Sequence, residues 1–386
     1  MREDKSSLGF RILAVNWQDL KNPLSGGAEV HLHEILSRLA KSGHDVTLLC
    51  SGFDSGAPEE NYDKLRVVRR GRRMNFNWVA PFHARRLMAA EKFDIVIEDI
   101  NKIPFYLPLF TKTPVLAVVP HLFATTVFHE INFLLASYIY LMEKPVRLLY
   151  KKCRWMVISE STRSDLVRRG IEPGRISVIH CGIDHQQYSP DLGVPRLENP
   201  TIVYLGRLKK YKSIDHILRA AARLPETVGD WRIVVVGRGD DRPRLEKIAL
   251  RLGIKSRVTF TGFVDQATKL TYLRRAHVAV CASLKEGWGL TTIEANACGL
   301  PVIAADVPGL RDSVRDGRTG FLYPYGDIDC LTEKLAHVLT GGTRWESLSA
   351  GGVEWAASFH WREAARQTES LIERIVAGQS DKGAPS

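Results

Sequence analysis

Glu286 and Glu294 are two carboxylates with seven residues between them, among these the turn Gly287-Trp288-Gly289 and the residues Leu290 and Thr291. That spacing suits a site for the hydroxyls and phosphates of a nucleotide sugar. Val278 to Ala282 reads as an apolar strand, Ser283 to Gly289 as a loop, Leu290 to Cys298 as a helix closed by Gly299, and Val302 to Ala304 as the next strand. The two acids then lie near a strand's carboxyl end, where ligands bind in open α/β sheets. The amides of Gly289, Leu290 and Thr291 at the helix start can face a phosphate there, and the helix dipole favours its charge. Glu286 can accept from sugar hydroxyls and Glu294 from ribose hydroxyls. The spacing alone fits two ordinary helix-flank acids equally well.

Two cations complement these acids. Arg207 follows the strand Ile202 to Leu205, and Lys212 stands where the next helix starts. Arginine grips phosphate as a fork and lysine as a point charge, so both suit a departing diphosphate. A solvated basic loop is the plain alternative, since Lys209 and Lys210 adjoin them. Gly26-Gly27 sits between the first strand and its helix, where backbone either turns sharply or approaches a ligand. Gly237-Arg238-Gly239 has the same strand-to-helix setting, but Arg242 stands where a dinucleotide fingerprint needs its third glycine.

The run from Glu286 to Glu294 resembles the E-x7-E motif of retaining glycosyltransferases with the GT-B architecture, above all glycosyltransferase family 4. Gly26-Gly27-Ala28-Glu29 is similar to the family's glycine-rich loop, and His121 falls where the family places an active-site histidine. Ser159-Glu160-Ser161 and Cys181-Gly182-Ile183-Asp184 resemble the pieces that end the first domain. Gly206-Arg207 with Lys212 resembles the G-R-L-x4-K segment that opens the second. Phe263-Val264 resembles the stretch whose backbone meets the nucleotide base. Two departures stand out: Ser213 replaces the family's usual glycine, where a serine side chain could cap the helix, and the residues Val119 to Phe123 around His121 differ from commoner versions. The resemblance implies donor contacts from Gly26, Gly27, Gly237, Phe263, Val264, Gly287, Trp288, Gly289, Leu290, Thr291 and Glu294, with His121, Arg207, Lys212 and Glu286 at the reacting centre.

Strand and helix alternate along the chain, which points to an α/β fold with parallel sheets covered on both faces. Strands are expected at Arg11 to Asn16, Val46 to Cys50, Asp94 to Glu98, Val115 to Val119 and Met156 to Ile158, and helices at Ala28 to Ser42, Trp78 to Glu91 and Ser161 to Arg169. The second half adds the strands Ile202 to Leu205, Ile233 to Val236 and Val258 to Phe260, with helices at Ile214 to Leu224, Arg242 to Leu252 and Ala267 to Ala276. Residues 1–189 form the expected acceptor domain and 200–358 the donor domain, with Pro190 to Pro200 a linker. In the GT-B fold that the resemblance implies, two such Rossmann-like halves face each other across a cleft and a last helix, 361–377, returns to the first. Residues 378–386 have the composition of a disordered tail.

A chain of 386 residues with 45% hydrophobic and 25% charged residues is long enough for two domains with their own cores. The start, Met1 to Gly9, is polar and has no signal-peptide pattern, and the six cysteines show no metal or disulfide spacing, so a cytoplasmic setting is expected. The net charge is +11, and two basic clusters stand in the first half: Arg66, Arg69, Arg70, Arg72 and Arg73, then Lys144, Arg147, Lys151, Lys152 and Arg154. The second adjoins the apolar stretch Ile131 to Met142, a pairing that suits an anionic membrane surface at the inner face of a membrane. A packed helix beside a solvated face is the bland alternative. No motif for reading nucleic acid accompanies the charge. Asp327-Ile328-Asp329 looks like a metal-binding D-x-D but sits at a helix start, where capping explains it.

The expectation is therefore a retaining, metal-independent glycosyltransferase that needs no cofactor beyond its nucleoside-diphosphate sugar and acts on a glycan or lipid-linked acceptor. A nucleotide-sugar epimerase or hydrolase on the same fold, and a non-catalytic carbohydrate or membrane-binding module, are the rivals.

Overall fold

The structure, a computed structural model, describes residues 9–101, 103–122, 133–191 and 193–378. The amino-terminal lead up to residue 8, Phe123, the first residues of the apolar stretch from 131 and the tail from 379 lie outside the described residues. The chain divides into two compact units, residues 1–182 with 361–386, and Ile183–His360.

In the first unit the elements run β1 (Arg11–Val15), α1 (Gly27–Lys41), β2 (Asp45–Gly52), β3 (Glu59–Tyr62), β4 (Leu65–Arg72), α2 (Phe76–Ala90), β5 (Ile95–Asp99), β6 (Val115–Val119), α3 (Phe133–Glu143), α4 (Val146–Leu149), β7 (Arg154–Val157), α5 (Glu160–Arg168) and β8 (Ile176–Val178). The sheet order is β3-β4-β2-β1-β5-β6-β7-β8. β5 and β6 are buried along their length and β1 from Ile12 on, as strands covered on both faces must be. One pair departs from the parallel pattern: β3 and β4 form an antiparallel hairpin. Its turn, Asp63-Lys64, has positive φ at both residues, the geometry that lets a two-residue turn follow the strands' twist.

This hairpin pairs much of the first basic cluster with carboxylates. Arg69 is only 1% exposed and is paired with the fully buried Asp19 and, at 3.0 Å, with Glu60. Arg66 bonds Glu91 at 2.6 Å, and Arg70 pairs with Glu59. Three of the five arginines thus have carboxylates of their own.

The second unit continues with β9 (Thr201–Leu205), α6 (Ile214–Ala221), β10 (Arg232–Val236), α7 (Arg242–Arg251), β11 (Val258–Gly262), α8 (Gln266–Arg275), β12 (Val278–Cys281), α9 (Leu290–Ala297), β13 (Val302–Ala305), α10 (Leu310–Ser313), β14 (Gly320–Tyr323), α11 (Ile328–Leu339) and α12 (Gly342–Ala356). The sheet order β11-β10-β9-β12-β13-β14 is parallel throughout. The final helix, α13 (Trp361–Val376), belongs to the first unit, where Trp361, Ala364, Thr368, Leu371 and Ile372 are buried.

The unit boundary falls at Gly182, ahead of the expected 189, because the next residues are tied into the second unit. The Ile183 amide donates to the Phe359 carbonyl at 3.2 Å, and Arg274 donates to the Ser189 carbonyl at 2.9 Å. The stretch expected as a linker is held as well. Arg275 reaches the Pro195 carbonyl at 3.0 Å, and the Arg196 guanidinium lies 3.2 Å from the Trp345 ring centre.

Candidate active site

β9 and β10 are neighbours, and the turns at their carboxyl ends meet backbone to backbone. The Gly206 amide bonds the Val236 carbonyl at 3.0 Å, and the Leu208 amide bonds the Arg238 carbonyl at 2.8 Å. Gly237 has φ +137°, and a Cβ there would stand 1.9 Å from the Gly206 carbonyl oxygen. Glycine is therefore obligatory for the two turns to touch, and this contact sets the backbone of Arg207. The Arg207 side chain is exposed and has no ion pair among the described residues, while Lys209 beside it is engaged by Asp240 at 2.8 Å.

Lys212 ends a short 3₁₀ turn before α6. Its ammonium is bonded to the Glu286 carboxylate, and both side chains are less than a fifth exposed. Ser283 Oγ donates to the same carboxylate oxygen at 2.8 Å. Burial pushes the Lys212 pKa down, but Glu286 together with Tyr211, Tyr204 and Cys281 outweighs it and the net shift is upward. Lysine and glutamate are thus held as an ion pair. The Cys281 thiol nearby is pushed up to about 11 by burial and by Glu286, which leaves it a neutral spectator.

Ser213 has φ +50° and ψ +40°, a left-handed conformation, and its side chain makes no cap bond to α6. The expected helix cap is corrected accordingly: Ser213 Oγ lies 2.9 Å from the Tyr325 hydroxyl. The left-handed backbone is the conformation glycine adopts without cost, so the glycine that the resemblance leads one to expect at this place would suit it.

Between Glu286 and α9, Gly289 has φ +82° and serves as the N-cap. The amides of the first turn, Leu290 and Thr291 among them, lack partners within the helix by position. The Gly309 loop packs on the turn so closely that a Cβ at Gly309 would lie 2.3 Å from the Glu286 carbonyl oxygen. Gly287 and Trp288 are buried, and the Trp288 indole packs edge-on against Phe359 with ring centres 5.2 Å apart. Its side chain is a packing element of the loop, a part that its place in the motif does not reveal. Glu294 lies on α9, where Lys269 bonds its Oε2 at 2.7 Å. Phe263 follows β11, is 72% exposed, and has the Arg238 guanidinium 5.5 Å from its ring centre; Val264 is half-buried.

Arg207, Lys212, Gly237, Phe263, Val264, Glu286 and Glu294 thus all belong to the second unit, at or just beyond strand ends or on α9. Gly26, Gly27 and His121 belong to the first. Gly26 precedes α1, and its amide donates to Glu29 Oε2 at 2.7 Å, so a carboxylate of the chain already occupies that amide. His121 is half-buried, two residues past β6. Asp327 accepts from the Cys330 amide at 2.9 Å as the cap of α11, and Asp329 pairs with Arg223. Sequence reasoning missed Ser283, which bonds Glu286 within one loop, and Lys269 and Tyr188, which act through contacts between separate elements.

Known proteins resemble both units. The model of glycosyl transferases group 1 matches residues 193–354, and that of Glycosyltransferase Family 4 matches residues 25–187. A D-inositol 3-phosphate glycosyltransferase 2 of Catenulispora acidiphila is 34% identical over 58% of this chain and 56% of its own length. The D-inositol 3-phosphate glycosyltransferase of Mycobacterium tuberculosis is 34% identical over 55% and 46%. The chain thus spans about half the length of these curated relatives. The sucrose-phosphate synthase structure from Thermosynechococcus elongatus superposes with a TM-score of 0.80 at 22% identity, covering 96% of this chain and 100% of that one. HepE of Anabaena, solved with UDP and glucose, gives 0.74 at 18%, covering 94% and 99%. The fold is GT-B, and the chain belongs to glycosyltransferase family 4.

Proposed function

We propose that the protein is a retaining, metal-independent glycosyltransferase that moves a sugar from a UDP- or GDP-sugar to an acceptor hydroxyl. The observation that carries this reading is an exposed Arg207, with no ion pair among the described residues, beside the Lys212–Glu286 ion pair at neighbouring strand ends of one unit. Arg207 and Lys212 supply the positive charge that a departing diphosphate needs, so the reading calls on no metal. Glu286 orients the sugar hydroxyls and Glu294 those of the ribose, while Phe263 and Val264 flank the base. The first unit takes the acceptor, while the resemblance assigns Gly26 and Gly27 to donor contacts and His121 to the reacting centre. In the transfer, the bond from the anomeric carbon to the diphosphate breaks as the acceptor oxygen bonds the same face. The acceptor's proton passes to the leaving phosphate oxygen.

The acceptor is lipid-linked and presented at an anionic membrane surface. This rests on α3 and α4. Tyr138, Ile139, Met142, Val146 and Leu149 pack on the first unit's core, while Leu134, Leu141 and Leu148 are 82, 58 and 65% exposed. Lys144, Arg147, Lys151 and Lys152 stand exposed beside them, the mixture that binds anionic lipid headgroups. Among the described residues no helix is long and apolar enough to cross a membrane. Co-sedimentation with phosphatidylglycerol vesicles, lost in the triple variant Leu134→Ser, Leu141→Ser, Leu148→Ser, is expected; equal recovery of both proteins would remove the membrane from the reading.

Thermal stabilisation by UDP, GDP and ADP and their sugars tests the donor site, because a ligand of the native state raises stability by mass action. A shift with UDP or GDP that Arg207→Ala loses is expected. No shift with any nucleotide would overturn the reading, as would conversion of the donor sugar with no acceptor present.

A further inference from the structure

Glu294 offers its two carboxylate oxygens unequally. Oε2 accepts from the Lys269 ammonium at 2.7 Å, whereas Oε1 has no partner among the described residues. Lys269 is itself anchored, since its Nζ donates to the Tyr188 hydroxyl at 2.8 Å and lies 4.9 Å from that ring's centre. The same hydroxyl accepts from Gln266 Nε2 at 3.0 Å. Gln266 and Lys269 come from α8, Glu294 from α9, and Tyr188 from the segment by which the chain enters the second unit. Lysine, seated on the tyrosine that glutamine steadies, therefore holds one oxygen of the carboxylate and leaves the other for a ligand. The ammonium also offsets a charge problem. A nucleoside diphosphate is an anion, and a bare carboxylate beside it would repel it.

We infer that Lys269, seated on Tyr188, is a positioning residue that locks the Glu294 carboxylate for ribose, and that it sets the discrimination between ribose and deoxyribose donors. The inference rests on the reading of Glu294 as the acceptor of ribose hydroxyls. Burial works against the lysine's charge, but the Glu294 carboxylate and the Tyr188 hydroxyl together outweigh it and raise the lysine's pKa. A site built around a fixed polar partner rejects the analogue that lacks the hydroxyl, because its own buried group is then left unpaired. A carboxylate free to swing has no such penalty.

The test is the ratio of dissociation constants for UDP and 2′,3′-dideoxy-UDP, and likewise for the GDP pair, in wild type, Glu294→Ala, Lys269→Met, Lys269→Arg and Tyr188→Phe. A ratio of dissociation constants is insensitive to the fraction of folded protein, so partial misfolding of a variant does not mask the outcome. Wild type is expected to prefer the ribose form by about tenfold or more, the scale of a charged hydrogen bond. Glu294→Ala should abolish the preference, Lys269→Met should cut it at least fivefold, Tyr188→Phe should fall between, and Lys269→Arg should restore most of it. An undiminished preference in Lys269→Met, together with its loss in Glu294→Ala, overturns the inference alone. An undiminished preference in Glu294→Ala, or no binding of UDP or GDP, overturns the reading on which it rests.

Discussion

Lys212 and Glu286 neutralise each other in a setting where each side chain is less than a fifth exposed. Removing one leaves the other poorly solvated, and breaking such a pair is costly. Lys212→Ala should lose about 2 kcal/mol of stability, less than a fully buried pair would, as well as its donor affinity. Arg207→Ala, at an exposed side chain, should stay within about 0.5 kcal/mol of wild type while losing donor binding. Urea unfolding of the two variants checks the contrast, and equal losses would contradict it. The residue types at 207, 212, 286 and 294 were legible because their order along the chain follows a known pattern. Their partners were not. Ser283 and Lys269 reach the acids across turns and between helices, a matter of packing geometry rather than spacing.

Strand-end turns, more than side chains, carry the precision of the second unit. Gly237→Ala would drive a methyl into the Gly206 carbonyl, so the Arg207 turn must move. A loss of about 3 kcal/mol is expected, with a weaker nucleotide-induced shift in melting temperature. Wild-type values of both would show that the two turns can separate freely. Most strands and helices of both units were readable from alternating apolar runs and glycine stops, because strands covered on both faces are continuous apolar stretches. The β3–β4 hairpin was not readable. Its turn, Asp63-Lys64, lacks the asparagine or glycine that marks such turns, and the arginine-rich β4 looks like a solvated basic run until its carboxylate partners are seen.

Across the molecule, buried titratable groups give the two units different responses to acid. His277, in the second unit, is held down to about 4 by burial and by Arg196, and its Nδ1 accepts from the Thr201 amide at 3.1 Å. Below its unfolded value of 6.5 the unfolded chain takes up a proton that the native state refuses, so stability falls as pH drops from 6.5 toward 4. In the first unit His31, also held near 4 by burial, acts in the same sense. There Glu98 opposes it. Burial raises its pKa to about 7 against bonds from Tyr150 and the Phe105 and Leu107 amides, so its contribution strengthens as pH falls from 7 toward 4.5. His277→Gln should flatten the fall in melting temperature between pH 6.5 and 4.5, and Glu98→Gln should steepen it. Unchanged slopes in both would show that neither group governs the acid response.

The placement of α13 has a consequence for the order in which the protein is made. Its apolar face completes a unit whose other elements end at Gly182, and the whole of the second unit, about 180 residues, is translated in between. At ordinary ribosome speeds α1 and its neighbours wait on the order of ten to forty seconds for that cover. The second unit, continuous in sequence, can close first. A newborn chain therefore carries a finished second unit while the first is still incomplete, and chaperones that shield apolar helix faces would find their target on the part synthesised first.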